Sequence, residues 1–268
     1  LVVGGLIAAG AAGVVVLASF TLSRPGAPPP PAAPRPSPSA ANAAVKTYAT
    51  GVGERLNVTL DDGSTVELDT ASRLEVAYSA ARRELRLVAG QALFQVAHNK
   101  ARPFIVTAGD RRITATGTAF EVRLDGRRVR VVLVEGHVVV ADAAPGQAVP
   151  SAGQELSAGE QLVARPAGPM SVGPADLDRT SSWRRGQLIF RDDTLPAAVA
   201  EFNRYTTTRL VVDDPAVAAL KISGVFGSAS TDDFIAAIEA YFPVDAEMRA
   251  TGTIALVKRP GTVASARR

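Results

Sequence analysis

Two imidazoles, His98 and His137, and an absence of cysteine bound the chemistry open to this 268-residue chain. Without thiols there is no disulfide scaffold, no Cys nucleophile and no thiolate zinc site. Two histidines are too few for a His-rich metal cluster. His98 shares strand parity with Phe94 and Val96 and fits a strand-end position, while His137 follows Glu135-Gly136 and fits a solvated turn. Neither belongs to a motif pairing it with a nucleophile. No Gly-x-Ser-x-Gly elbow and no His-Glu-x-x-His zinc motif occurs. Asp61-Asp62-Gly63-Ser64 lacks the alternating ligands and closing Glu of a calcium loop, and Gly51-Val52-Gly53-Glu54 lacks the third glycine of a phosphate cradle. Both read as turns. Val2-Val3-Gly4-Gly5 with Gly10 has the wrong spacing for a nucleotide loop, and the first acidic residue is Glu54. No catalytic, cofactor-binding or metal-binding residue is expected, and no enzyme activity.

Arginine pairs are the remaining chemical feature: Arg82-Arg83, Arg111-Arg112, Arg127-Arg128 and Arg184-Arg185. Neighbours on a strand point to opposite faces, so a pair does not make a patch. Solvated strand edges are the expected place for them, since charge there blunts edge pairing. The charge map agrees. Net charge is +3, but residues 45–165 hold 15 basic and 14 acidic side chains, and residues 181–260 hold 9 and 10. Neither stretch carries the concentrated positive charge that a nucleic-acid backbone demands, so no nucleic-acid partner is expected.

The elements that would position these residues fall into blocks. Residues 1–23 contain no charge and are long enough to span a bilayer as a helix, with Gly4, Gly5, Gly10 and Gly13 in keeping with membrane helices. A signal peptide and a buried soluble helix fit the length less well. Residues 24–44 are rich in Pro and Ala, which makes a semi-rigid spacer. Residues 45–165 alternate apolar and polar positions around Asp-Gly and Gly turns, as in Leu56, Val58 and Leu60, then Ala92, Phe94 and Val96, then Phe120, Val122 and Leu124. This predicts an all-β domain, with a twisted sheet stack, a sandwich and a short solenoid all open. Residues 166–180, with Pro166, Pro169 and Pro174, read as a linker. Residues 181–260 read as a small α+β module in the order β-α-β-β-α-β-β. Thr194 caps its first helix, whose stripe is Leu195, Ala198, Val199 and Phe202. Ser230 or Thr231 caps its second, with Phe234, Ile238 and Tyr241 facing inward. Residues 261–268 form a tail. The fold class is mainly β with a small α+β module.

Several runs in this order resemble the FecR family of transmembrane sigma-factor regulators. In the β-domain they include Leu60 to Leu68, Gly90 to His98, Thr116 to Val122 and Val132 to Gly136. In the module they include Trp183 to Phe190, Ala198 to Tyr205 and Gly224 to Phe226, similar to the secretin and TonB short N-terminal domain. The resemblance implies a single-pass protein of the bacterial inner membrane with its C-terminal part in the periplasm. It implies an outer-membrane TonB-dependent transducer as periplasmic partner, iron or siderophore signalling, and release by periplasmic and intramembrane proteases. It also implies an extracytoplasmic-function sigma factor held by a cytoplasmic segment before the helix. This sequence opens at Leu1, so that segment is expected in a longer protein. A membrane-anchored structural or envelope-binding module without a sigma partner is the alternative. Trp183, Arg204 and Tyr205 are candidate partner-binding residues, because Trp, Tyr and Arg dominate binding hot spots. The competing assignment packs Trp183 and Tyr205 into the module core or its junction with the β-domain.

Overall fold

The computed structural model describes residues 45–143, 153–166, 168–249 and 252–260. The membrane span expected over 1–23, the spacer over 24–44 and the tail over 261–268 lie outside them. Among the described residues no helix is long and apolar enough to cross a membrane.

Thirteen strands build the N-terminal part: β1 Lys46–Ala49, β2 Leu56–Thr59, β3 Thr65–Leu68, β4 Arg73–Tyr78, β5 Arg83–Gln95, β6 Phe104–Ala108, β7 Arg111–Ala115, β8 Ala119–Asp125, β9 Arg128–Glu135, β10 His137–Asp142, β11 Gln154–Ser157, β12 Glu160–Ala164 and β13 Met170–Pro174. They hydrogen-bond into one sheet because the 13-residue β5 belongs to two layers. Its first half pairs with β4 and, in parallel, with β6; its second half pairs with β3 and β8. One layer runs β1-β4-β5-β6-β7-β10-β11, the other β2-β3-β5-β8-β9-β12-β13. Of the β architectures left open by the alternation, the pairing selects two layers wrapped around one core as a nearly closed barrel. Leu74, Leu87, Phe104 and Ile113 from the first layer meet Leu68, Phe94, Phe120 and Leu133 from the second. Phe94 stacks on Phe120 with ring centroids 5.2 Å apart.

The transfer of β5 between layers depends on Gly90. Its φ of +84° suits glycine, and a Cβ there would stand 2.6 Å from Ser72 Cα. The bend also changes parity: Leu85 and Leu87 point into the core before it, Ala92 and Phe94 after it.

Two arginines of the pairs are not at solvated edges. Arg111 is 5% exposed, and Arg83 is fully buried. Arg83 reaches Asp62 at 2.7 Å, donates to the carbonyls of Ala97, Asn99 and Arg102, and lies over the Phe104 ring. Asp62 is thus an anchor as well as a turn residue. It also accepts from Ser64 N, Ser64 Oγ and Tyr78 Oη. Burial raises the Asp62 carboxyl, but the Ser64, Arg83 and Tyr78 donors outweigh it and hold the group below its ordinary range. The parity argument holds, with Arg83 inside and Arg82 beside it partly exposed.

The stretch expected as a linker carries structure. Strand β13 pairs with β12 at the sheet edge, where Pro174 costs no ladder bond, and α1 (Leu177–Ser181) follows, capped by Asp176. A 3-10 turn over Ser182–Arg185 then leads to β14 Gln187–Thr194, α2 Leu195–Phe202, β15 Leu210–Val212, α3 Pro215–Ala218, β16 Lys221–Gly227, α4 Thr231–Tyr241, β17 Val244–Met248 and β18 Ile254–Lys258. This is the expected order with one added short helix, α3. Strands β14 and β16 form one small sheet; β15, β18 and β17 form another, with β15 parallel to β18. Thr194 caps α2 as expected, and Phe190, Phe202, Phe226 and Phe234 cluster at the centre. Tyr241 does not face inward and is 84% exposed. Helix α4 ends there, and Phe242, four residues after Ile238, turns extended and packs against the core instead.

Removing the Arg83 head group leaves the Asp62 carboxylate without its cation and three carbonyls without a donor. Arg83→Ala is expected to destabilise the barrel by about 3–5 kcal/mol, read as a lower urea midpoint of the far-UV CD transition.

Candidate functional site

The outer face of the second barrel layer is unusual in its side chains. Along β5, Gln91 and Leu93 alternate with the core residues Ala92 and Phe94, yet both are buried. On β8 and β9, Glu121 and Arg123 pair in register with Val132 and Arg130. Glu121 is 1% exposed and Val132 fully buried. What covers this face is the α+β module. Leu93 belongs to the module's apolar core, packed with Trp183, Leu188, Phe190 and Phe202.

Around Leu93 the contact is polar and charged. Trp183 Nε1 donates to Glu121 Oε2 at 2.7 Å. Tyr205 Oη donates to Asp69 Oδ2 at 2.7 Å, and Arg204 Nη2 reaches the same oxygen at 2.9 Å. Arg204 Nη1 also holds Glu201 at 2.6 Å, and Arg123 holds the other Glu201 oxygen at 2.8 Å. The rim repeats the theme. Arg184 makes a two-pronged pair with Glu67, at 2.8 and 2.6 Å, while Arg55 donates to the carbonyls of Trp183 and Arg184. Thr70 Oγ1 donates to the Arg204 carbonyl. The three sequence candidates, Trp183, Arg204 and Tyr205, therefore stand together, and their head groups face the chain's own barrel.

Electrostatics divides these carboxyls into two kinds. Burial pushes Glu121 upward, and Arg130 at 3.5 Å with the Trp183 and Gln91 donors offsets this only in part. Burial pushes Asp69 up as well, against Arg204 and Tyr205. Glu201 goes the other way: its burial is outweighed by Arg204 and Arg123, which hold it down at about 2. Arg204 is shared by both acids. Burial lowers it, but Glu201, Tyr205 and Asp69 outweigh that, so its charge is secured while Asp69, the deeper acid, receives only part of its field. A cavity of about 50 Å³ lies beside the charges, lined in part by Gln91, Arg123, Arg130, Trp183 and Glu201.

Chemically the site is a keyed contact. His98 and His137 are exposed and lie elsewhere, and among the described residues no group of three or more His, Asp or Glu side chains could hold a metal ion. Sequence reasoning missed Asp69, Glu121, Arg123 and Glu201. Signals existed: Leu93 stands on the polar parity of β5, and Val131-Val132-Leu133 is apolar on both parities, as in a strand covered on both faces.

The family described as FecR protein matches residues 46–139, which span most of the barrel. Two crystal structures of candidate anti-sigma factors from Parabacteroides distasonis ATCC 8503, at 2.50 and 1.65 Å, share the fold. They are 21% and 22% identical with a TM-score of 0.67, and each alignment covers 80% of this chain and 99% of theirs. No curated protein matches.

Leu93→Ala removes the apolar centre of the junction and is expected to cost about 2–4 kcal/mol. Trp183 fluorescence should then change at lower urea than the barrel CD signal. The Glu201 contribution carries its own pH signature. Its carboxyl is depressed in the folded chain, so its stabilisation is complete above the ordinary carboxylate range and is lost as pH falls toward about 2. Glu201→Gln should flatten that acid limb of the stability profile.

Proposed function

We propose that this chain is the sensing part of a single-pass inner-membrane regulator that holds an extracytoplasmic-function sigma factor and answers to an outer-membrane TonB-dependent transducer of the iron or siderophore type. The observation that carries the reading is the FecR match over residues 46–139 on a chain whose fold is shared with the two crystal structures described as a candidate anti-sigma factor. The charge-free segment 1–23 supplies the bilayer anchor and the Pro-rich segment 24–44 the reach. In this reading the lipid bilayer, the sigma factor, the transducer's signalling domain and the releasing proteases are the partners.

The junction supports a relay. It joins barrel and module through charge pairs around one leucine, and polar interfaces of this kind separate more readily than apolar ones. Trp183, Arg204 and Tyr205 serve such a relay as the module residues through which a transducer contact reaches the barrel.

Affinity capture of the full-length protein from its native membrane, before and after chemical cross-linking, is expected to bring down one sigma factor and one TonB-dependent transducer. Recovery of envelope glycan or scaffold proteins without a sigma factor would replace this reading with that of a membrane-anchored envelope-binding module. Alanine at Arg204 or Tyr205 should weaken transducer capture while leaving sigma-factor capture intact.

A further inference from the structure

Glu121 is poorly provided for as an anion. One oxygen receives the Trp183 indole at 2.7 Å; the other, Oε1, is buried without a hydrogen bond and has only the charge of Arg130, whose Nη2 stands 3.5 Å away. The cations around it are committed elsewhere. Arg123 on β8 is held by Glu201 of α2 at 2.8 Å, and Arg179 on α1 by Asp193 at 3.0 Å. Arg130 on β9 is the remaining cation and comes only within 3.5 Å. From β5, Gln91 presents Oε1, which is likewise buried and without a partner. An ionised carboxyl needs close donors at both oxygens, and here only the Trp183 indole is close, with the Gln91 amide and Arg130 giving partial support. A neutral carboxyl needs fewer.

We propose that the barrel–module junction is a proton-controlled latch, closed around Trp183 when Glu121 is neutral and loosened when Glu121 ionises. Closing buries a charge that only the open form can hydrate. The closed form therefore binds the proton more tightly than the open form. Closure is complete at low pH and is lost as pH rises through the Glu121 titration in the closed state. The upward push of burial on Glu121 runs in this direction. Asp69 adds to it, with Oδ1 unpartnered, though Arg204 and Tyr205 secure its other oxygen. Glu201 does not compete, since it stays ionised down to about 2. Burial lowers Arg130, with Glu121 opposing it, but a guanidinium starts so far above neutrality that it remains the cation facing Glu121. The small cavity beside Gln91, Arg130 and Trp183 gives water its point of entry. The latch is a property of this chain alone; the proposed relay would give it a use.

Trp183 is the sole tryptophan, so its emission reports the latch directly. Acrylamide quenching and emission maximum are measured on the purified full chain in detergent micelles from pH 5 to 9, with far-UV CD alongside. The expected result is a red shift and a several-fold rise in quenching as pH rises, at constant CD. Glu121→Gln, which mimics the neutral acid, should stay blue-shifted and protected throughout. A flat wild-type profile overturns the latch, and so does a Glu121→Gln profile that titrates like the wild type. If that variant does not fold, the indole N–H resonance of wild-type Trp183 decides: it must follow a carboxyl titration, and a resonance unmoved by pH overturns the proposal.

Discussion

Residues 91–94 of β5 have no solvent side. Ala92 and Phe94 fill the barrel, and Leu93, between them, fills the module. A strand with alternating faces can do this only if a second body lies against its outer face, and the module is that body. The bend at Gly90 makes the arrangement possible, because it carries β5 from the first layer into the second and so sets Leu93 under Trp183 and Phe190. Neither core is then independent. Loss of the contact would expose an apolar side chain on the barrel and open one wall of the module's core.

Charge surrounds this small apolar centre. Asp69, Glu121 and Glu201 meet Arg204, Arg130 and Arg123, with Tyr205 and Trp183 supplying neutral donors. Desolvating so many ions limits what the pairs contribute to stability. What they give is register, since a two-pronged Arg184–Glu67 pair and a two-acid grip on Arg204 fit only one docking geometry. An all-apolar junction of the same size would hold harder and separate at greater cost. The mixture is suited to a contact that must be specific and also able to give.

The same economy appears inside the barrel. Arg83, fully buried, ties the Asp62 turn to three carbonyls of the connection between β5 and β6. A run of residues that resembles a calcium loop in composition is instead the acceptor end of a buried arginine. Both barrel and junction use arginine as a connector between chain segments distant in sequence, which fits a chain whose basic and acidic residues nearly balance within each folded part.

Much of the local structure was legible in the residues. Alternation along Leu56–Leu60 and Ala92–Val96 marked strands, Thr194 before Leu195-Pro196 marked a helix start, and the order of elements in residues 181–260 followed, because strand and helix periods and caps are short-range properties. The strand at Met170–Pro174 was hidden by its prolines, which an edge position tolerates, and the exposure of Tyr241 by a helix that stops one residue before Phe242. Trp183, Arg204 and Tyr205 stood out by residue type, but type does not say what a side chain faces. That they meet Glu121 and Asp69 across more than sixty residues of chain was decided by the tertiary fold alone, since burial of a charge and the choice of its partner depend on which surfaces come together. The sequence determined the elements and the balance of charge; the packing of the module on Leu93 decided which of those charges left water.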